Sequence, residues 1–261
     1  MSPAPREDML TLPGGRTARV WEQGAGEPIV FLGGLLGLPR WPQVLTELAR
    51  SRRVIAPSLP GFHGCEQFRD LDQTLDWISA VLDLLDACAP EPFDLVGASL
   101  GGTLAAEVAA LAGSRVRHLV LLAPFGMFRA EEPVTDFWAQ RRGALAALCA
   151  ERTEAFEAFT ARPDEVDEVE WAVLTTRSLE ATARLLWPIG DTGLARRLHR
   201  IHCPTLLLWG DSDRVVPASY AKHFAEAIAG KAQIQSIEAA GHLAEIDQPA
   251  RVAEAVLRFI H

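Results

Sequence analysis

At 261 residues, with 49% hydrophobic and 23% charged residues, the chain has the composition of a globular protein long enough to bury a sizeable core, and not that of a disordered one. Its formal net charge of -9 argues against a nucleic-acid partner, because binding a phosphate backbone relies on a basic surface that displaces counterions. Residues 1–8 hold no apolar segment of secretory type and no run approaches roughly 18 apolar residues, so the expectation is a cytoplasmic protein without a membrane partner.

Residues 9–12 and 18–21, joined by Pro13-Gly14-Gly15, read as a β-hairpin. Short apolar runs bounded by Gly and Pro then recur: Ile29-Val30-Phe31-Leu32, Val54-Ile55-Ala56, Phe93-Asp94-Leu95-Val96, Leu119-Val120-Leu121-Leu122, Leu206-Leu207-Leu208-Trp209 and, more weakly, residues 232–237. Helical patterns separate them. Leu75, Ile78, Leu82 and Leu85 fall at steps of three and four, as do Leu104, Val108 and Leu111, and later Val252, Val256 and Ile260, each set reading as a core face. Strands alternating with helices predict an α/β fold with a mostly parallel sheet.

One stretch breaks the alternation. Residues 125–199 carry no convincing strand, only helical pattern interrupted at Pro133, Pro163 and Pro188, with Trp138, Trp171 and Trp187 among them. A helical insertion between two strands of one sheet fits this better than a second domain. The pairs Arg141-Arg142 and Arg196-Arg197 read as solvated helix faces. Cys65, Cys88, Cys149 and Cys203 show neither C-x-x-C nor zinc-ligand spacing, so packed, reduced thiols are expected. His199 and His202 lie three apart, but no carboxylate or cysteine pattern completes a metal site around them.

The sharpest local signal is Gly97-Ala98-Ser99-Leu100-Gly101, a G-x-S-x-G pattern between a buried strand and a helix. Nucleophilic serine chemistry needs the hydroxyl on a tight strand-to-helix turn, and the small flanking residues let such a turn form. A second glycine-rich loop, Gly33-Gly34-Leu35-Leu36-Gly37, follows an earlier strand on the same side of the sheet. The backbone amides of Leu35 and Leu100 are therefore assigned as the donors of an oxyanion hole.

With these motifs the chain resembles the α/β-hydrolase superfamily, of the compact kind with a helical cap over the active site. Further landmarks of the family recur as Pro60-Gly61-Phe62-His63-Gly64, the stretch Trp209-Gly210-Asp211-Ser212-Asp213-Arg214-Val215-Val216-Pro217, and Ala240-Gly241-His242-Leu243. The resemblance implies Ser99 as nucleophile, Asp213 as acid and His242 as base, in the family's chain order. Asp211 also follows the strand at 206–209, where a carboxylate can instead brace the turn. The resemblance further implies a core of residues 1–124 and 200–261 and a cap of 125–199. His63 would border the site, and the cap aromatics Phe125, Phe128, Trp138 and Trp187 are candidates to line an apolar acyl pocket. Gly33 departs from the family pattern, where a histidine is common, and alters how that loop is braced.

The function expected is hydrolysis of a carboxylic ester of a small or medium apolar acid through an acyl-enzyme, with no cofactor, no metal and a small-molecule substrate; oligomeric state is not legible. One rival is carbon–carbon bond hydrolysis of a vinylogous diketone. Relatives that do this usually carry Trp after the histidine and a polar oxyanion loop, whereas Leu243 and Leu35-Leu36 stand here. The other rival is a ligand-binding receptor on a hydrolase scaffold.

Overall fold

The computed structural model describes residues 4–66, 69–89, 92–141 and 143–261. The N-terminal Met1-Ser2-Pro3 and Arg142, half of the first arginine pair, lie outside the described residues. β1 (Arg6–Thr11) and β2 (Thr17–Gln23) form the expected antiparallel hairpin. Gly14 and Gly15 make its turn at φ +81° and +77°, a region that favours glycine.

β3 (Pro28–Leu32), β4 (Arg53–Pro57), β5 (Phe93–Ala98), β6 (Val116–Leu122), β7 (Thr205–Gly210) and β8 (Ala232–Ile237) then build the sheet. The eight strands run in the order β1-β2-β4-β3-β5-β6-β7-β8. β2 joins β4 antiparallel, and every pairing from β4 through β8 is parallel. β5 and β7 are buried along their whole length, which is why they read as continuous apolar runs. β8 is the edge strand and mostly solvent-facing, which is why its apolar signal is weak.

Two layers of helices cover the sheet: α2 (Thr74–Cys88) and α3 (Ser99–Leu111) belong to one core cluster, and α1 (Gln43–Leu48) packs with α9 (Pro249–Phe259) in the other. In α9 the stripe of Val252 and Val256 is buried as the spacing predicts, and Ile260 just beyond it is buried too. Leu75 is not core but 63% exposed. Trp77, Val81 and Leu84 join Ile78 and Leu85 in the buried stripe and rotate it away from Leu75. Leu111 also stands out at 43% exposed, because α3 is buried from Ser99 to Ala110 and leaves the core only at its last residue.

Between β6 and β7 lie α4 (Leu145–Cys149), α5 (Thr153–Thr160), α6 (Glu168–Leu186) and two short 3-10 turns, with no strand among the described residues. Asp167 caps α6 by accepting from the amides of Val169 and Glu170. Among the polar ties that fasten the insertion, three reach buried groups of the core. The amides of Glu151 and Arg152 donate to the buried Asp247, at 2.9 and 2.8 Å. Thr182 of α6 donates to the Leu35 carbonyl at 2.6 Å. Arg197 grips the fully buried Glu107 of α3 with two hydrogen bonds of 2.6 and 2.5 Å, so this arginine anchors the insertion's end and is not a solvated face. No described helix is long and apolar enough to cross a membrane.

Candidate active site

The loops that leave β3, β5, β7 and β8 at their C-terminal ends meet at one edge of the sheet, where open parallel sheets place their ligands. At the end of β5 the chain turns directly into α3, and Ser99 takes up the turn at φ +53°. That left-handed conformation is strained for any side chain and persists only where the surroundings enforce it. The glycines of the motif answer to steric demand. A Cβ on Gly97 would stand 2.4 Å from the Gly101 carbonyl oxygen, and one on Gly101 would stand 2.3 Å from the carbonyl oxygens of both Leu32 and Gly33. The helix thus presses against the strand and against the glycine-rich loop after β3.

Ser99 Oγ lies 2.8 Å from His242 Nε2, and His242 Nδ1 lies 3.0 Å from Asp213 Oδ2. With the ring proton on Nδ1 donated to the carboxylate, Nε2 accepts from the serine hydroxyl. The His242 and Asp213 side chains are both wholly shielded from solvent. Asp213 is itself oriented, since its other oxygen accepts the amides of Val215 and Val216 at 2.8 and 3.0 Å. Asp211 does not reach the histidine: it accepts from the Ser212 hydroxyl and, at 3.4 Å, from the Ala240 amide, and so braces the loop before His242. What little burial Asp211 has opposes its ionisation, but these donors and the neighbouring Ala239 amide hold the carboxyl below the usual carboxylate range.

The loop after β3 lies against the serine, because a Cβ on Gly34 would be 3.3 Å from Ser99 Cβ. Neither the Leu35 nor the Leu100 N–H has an acceptor among the described residues, which leaves both available to a ligand. The carbonyl of Leu35, in the next peptide along, accepts from Thr182 of α6. His63 is buried against the same helix: its Nδ1 lies 3.0 Å from Ser178 Oγ, and its ring stacks at a tilt on Trp171, 4.7 Å away. Burial first, and then the charge of Arg19, push its pKa down to about 4, so His63 is a neutral tie between α6 and the loop after β4.

Of the four candidate aromatics between β6 and β7, Phe125 reaches the centre, with its ring edge-on to His242 at 5.2 Å. Trp138 is partly buried on Phe137 at 4.0 Å, and Phe137 in turn meets Phe125 at 6.1 Å. Phe128 and Trp187 do not join them. They stand 41% and 60% exposed, Phe128 beyond the turn at Gly126 and Trp187 one residue past the last buried turn of α6. The spacing of aromatics carried no sign of which face was buried. Two residues beside the site went unsingled in the sequence: Thr182, hidden in the polar stretch of α6, and Glu245, whose only signal is its place three residues after His242 in an otherwise apolar turn. Among the described residues no group of three His, Cys, Asp or Glu is arranged to hold a metal, and His199 and His202 are exposed. The cysteines are free, and burial pushes Cys65, Cys88 and Cys149 up to about 12.

The chain is similar to proteins that carry this architecture. It is 29% identical over 258 residues to a 2-hydroxymuconate semialdehyde hydrolase of Pseudomonas sp. (strain CF600), covering 92% of this chain and 88% of that one. It is 31% identical over 258 residues to a pimeloyl-[acyl-carrier protein] methyl ester esterase of Photobacterium profundum, covering 94% and 99%. Among solved structures, a serine hydrolase involved in carbazole degradation superposes with a TM-score of 0.76 at 26% identity, over 98% of this chain and 99% of that one. The family model described as "Alpha/beta hydrolase family" matches residues 14–255, nearly the whole sheet with its insertion, and on that match the chain belongs to the α/β-hydrolase family of enzymes.

Proposed function

We propose that the protein is a serine hydrolase that cleaves a carboxylic ester of a small or medium apolar acid. The observation that carries this reading is the buried hydrogen-bonded chain from Ser99 through His242 to Asp213, mounted on a strained turn at the end of β5. Ser99 Oγ attacks the ester carbonyl carbon while its proton passes to His242 Nε2, and Asp213 steadies the imidazolium through Nδ1. The oxyanion that forms is received by the amides of Leu35 and Leu100. His242 then gives its proton to the departing alcohol, leaving an acyl group on Ser99. A water deprotonated by the same nitrogen releases the acid and restores the serine.

Residues 125–199 act in this reading as a cap over the core of 1–124 and 200–261, with Phe125, Phe137 and Trp138 toward the substrate. The apolar surroundings of the site and the esterase similarity support ester cleavage. A second reading, carbon–carbon hydrolysis of a vinylogous diketone, is supported by the similarity to the semialdehyde hydrolase. A screen of p-nitrophenyl esters of graded chain length, with one ring-fission diketone included, tests both. Ester turnover with labelling of Ser99 by a phosphonate is expected. Turnover of the diketone alone would replace ester cleavage by the second reading, and saturable binding without turnover of any compound would favour a receptor.

A further inference from the structure

The loop that carries His242 is held in a strained shape. Ala239, three residues before the histidine, sits at φ +53°, a left-handed conformation that a side chain keeps only where its surroundings enforce it. Hydrogen bonds hold the loop residue by residue. Gln248 Nε2 donates to the Ala239 carbonyl at 2.9 Å, and the Ala240 amide donates to Asp211 at 3.4 Å. The Gly241 amide donates to Asp247 Oδ2 at 2.8 Å, and the Leu243 amide to the Cys149 carbonyl at 2.9 Å. Both chain neighbours of His242 are thus fixed through their own N–H groups, one on a buried carboxylate and the other on the insertion.

That carboxylate belongs to the last residue of the short helix α8 (Ala244–Asp247) and is fully buried. Its charge is met by peptide donors. Oδ2 accepts from the amides of Gly241 and Glu151 at 2.8 and 2.9 Å, and Oδ1 from the amide of Arg152 at 2.8 Å. Two of the three donors lie in the insertion, which packs closely here: a Cβ on Gly241 would stand 3.0 Å from the Cys149 carbonyl oxygen and 3.1 Å from Ala150 Cα. We propose that Asp247 is a positioning residue, which through the Gly241 amide sets the direction from which His242 meets Ser99 and Asp213, and through the Glu151 and Arg152 amides makes that direction depend on how the insertion is seated. The inference rests on the reading of His242 as general base given above. His242 must keep two contacts at once, 2.8 Å to Ser99 Oγ and 3.0 Å to Asp213 Oδ2, so a displacement of its loop lengthens one or both. A misplacement of about 1 Å costs on the order of 10²-fold in rate.

The test compares wild type, D247N and D247A in the rate of Ser99 labelling by a p-nitrophenyl phosphonate, in kcat and KM for p-nitrophenyl butanoate, and in the downfield proton resonance of the His242 Nδ1–H shared with Asp213. Rates are taken per folded molecule, well below each melting temperature. Asparagine matches aspartate in shape but offers one oxygen to three amides, so D247N is expected to lose about tenfold in labelling rate and kcat with KM within about twofold. D247A is expected to lose about 10²-fold and to shift or broaden the Nδ1 resonance. If D247A fails to fold, D247N decides alone. A lower melting temperature in D247N with labelling rate, kcat and resonance unchanged makes Asp247 a structural residue only and overturns the proposal, as does an effect confined to KM. In a wild type that is labelled but leaves the ester uncleaved, the ester reading falls and the labelling rates decide on Asp247 by the same margins. A wild type neither labelled nor active overturns both.

Discussion

The C-terminal edge of the sheet and the helical insertion meet around the same site, yet they fix their side chains in different ways. Ser99, Asp213 and His242 sit within a few residues of a strand end, and the parallel ladders of β5, β7 and β8 dictate where those ends fall. In the insertion no ladder operates. Its helices are placed by side-chain ties such as Thr182 on Leu35 and Arg197 on Glu107, and much of their surface remains open, with Val169, Val173 and Trp187 exposed. One scaffold thus combines a chemical edge set by strand ends with a layer whose exposed aromatics, Phe128 and Trp187, can vary at small cost, unlike the buried Phe125 and Phe137.

Substitutions along the chemical edge should act on turnover and leave the fold intact. Ser99→Ala is expected to lower kcat by about 10⁶-fold, the scale seen when a triad serine is removed, with an unchanged melting temperature and no phosphonate labelling. Appreciable ester turnover in this variant would break the contrast at its centre. Asp213→Asn keeps the geometry but favours the wrong imidazole tautomer, for a loss of about 10⁴-fold in kcat. Asp211→Asn is expected to cost about 1 kcal/mol of stability and little turnover, so parallel kinetics and melts on the two variants separate orienting the histidine from bracing its loop.

In the insertion the effects fall on stability. Arg197→Met strands Glu107, whose side chain is fully buried, and is expected to cost about 3–5 kcal/mol in denaturant unfolding. A loss below about 1 kcal/mol would mean that the insertion's end is held by packing alone. Glu245, where the two regions touch, should make stability depend on pH. Burial raises its folded pKa to about 7, above the 4.5 of an exposed glutamate, so its contribution is full below about pH 4.5 and is lost as pH rises through about 7. Melts across this range should fall for wild type and flatten for E245Q; parallel curves would show that the carboxyl is not held neutral. The smallest effect is expected for Trp187→Ala, within about 0.5 kcal/mol and without change in chain-length preference, because the ring is 60% exposed. A clear change of preference would bring this face back to the substrate.

What the sequence determined by itself follows from short-range physics. Apolar runs between glycines and prolines fixed the strands, since a strand buried on both faces must be continuously apolar, and the steric needs of a tight turn fixed the place of Ser99. The absence of strands among the described residues of 125–199 was legible for the same reason. Only the tertiary structure decided which of two nearby aspartates faces His242, because Asp211 and Asp213 share a loop and differ only in the direction it leaves the sheet. It alone turned Leu75 and Trp187 outward and Phe125 inward, since helical periodicity defines a face but not the neighbour that covers it. Glu245 is the extreme case: three positions from the histidine it looks like a surface residue of a short helix, and its burial comes from a loop near the start of the chain and a helix of the insertion, which no local pattern encodes.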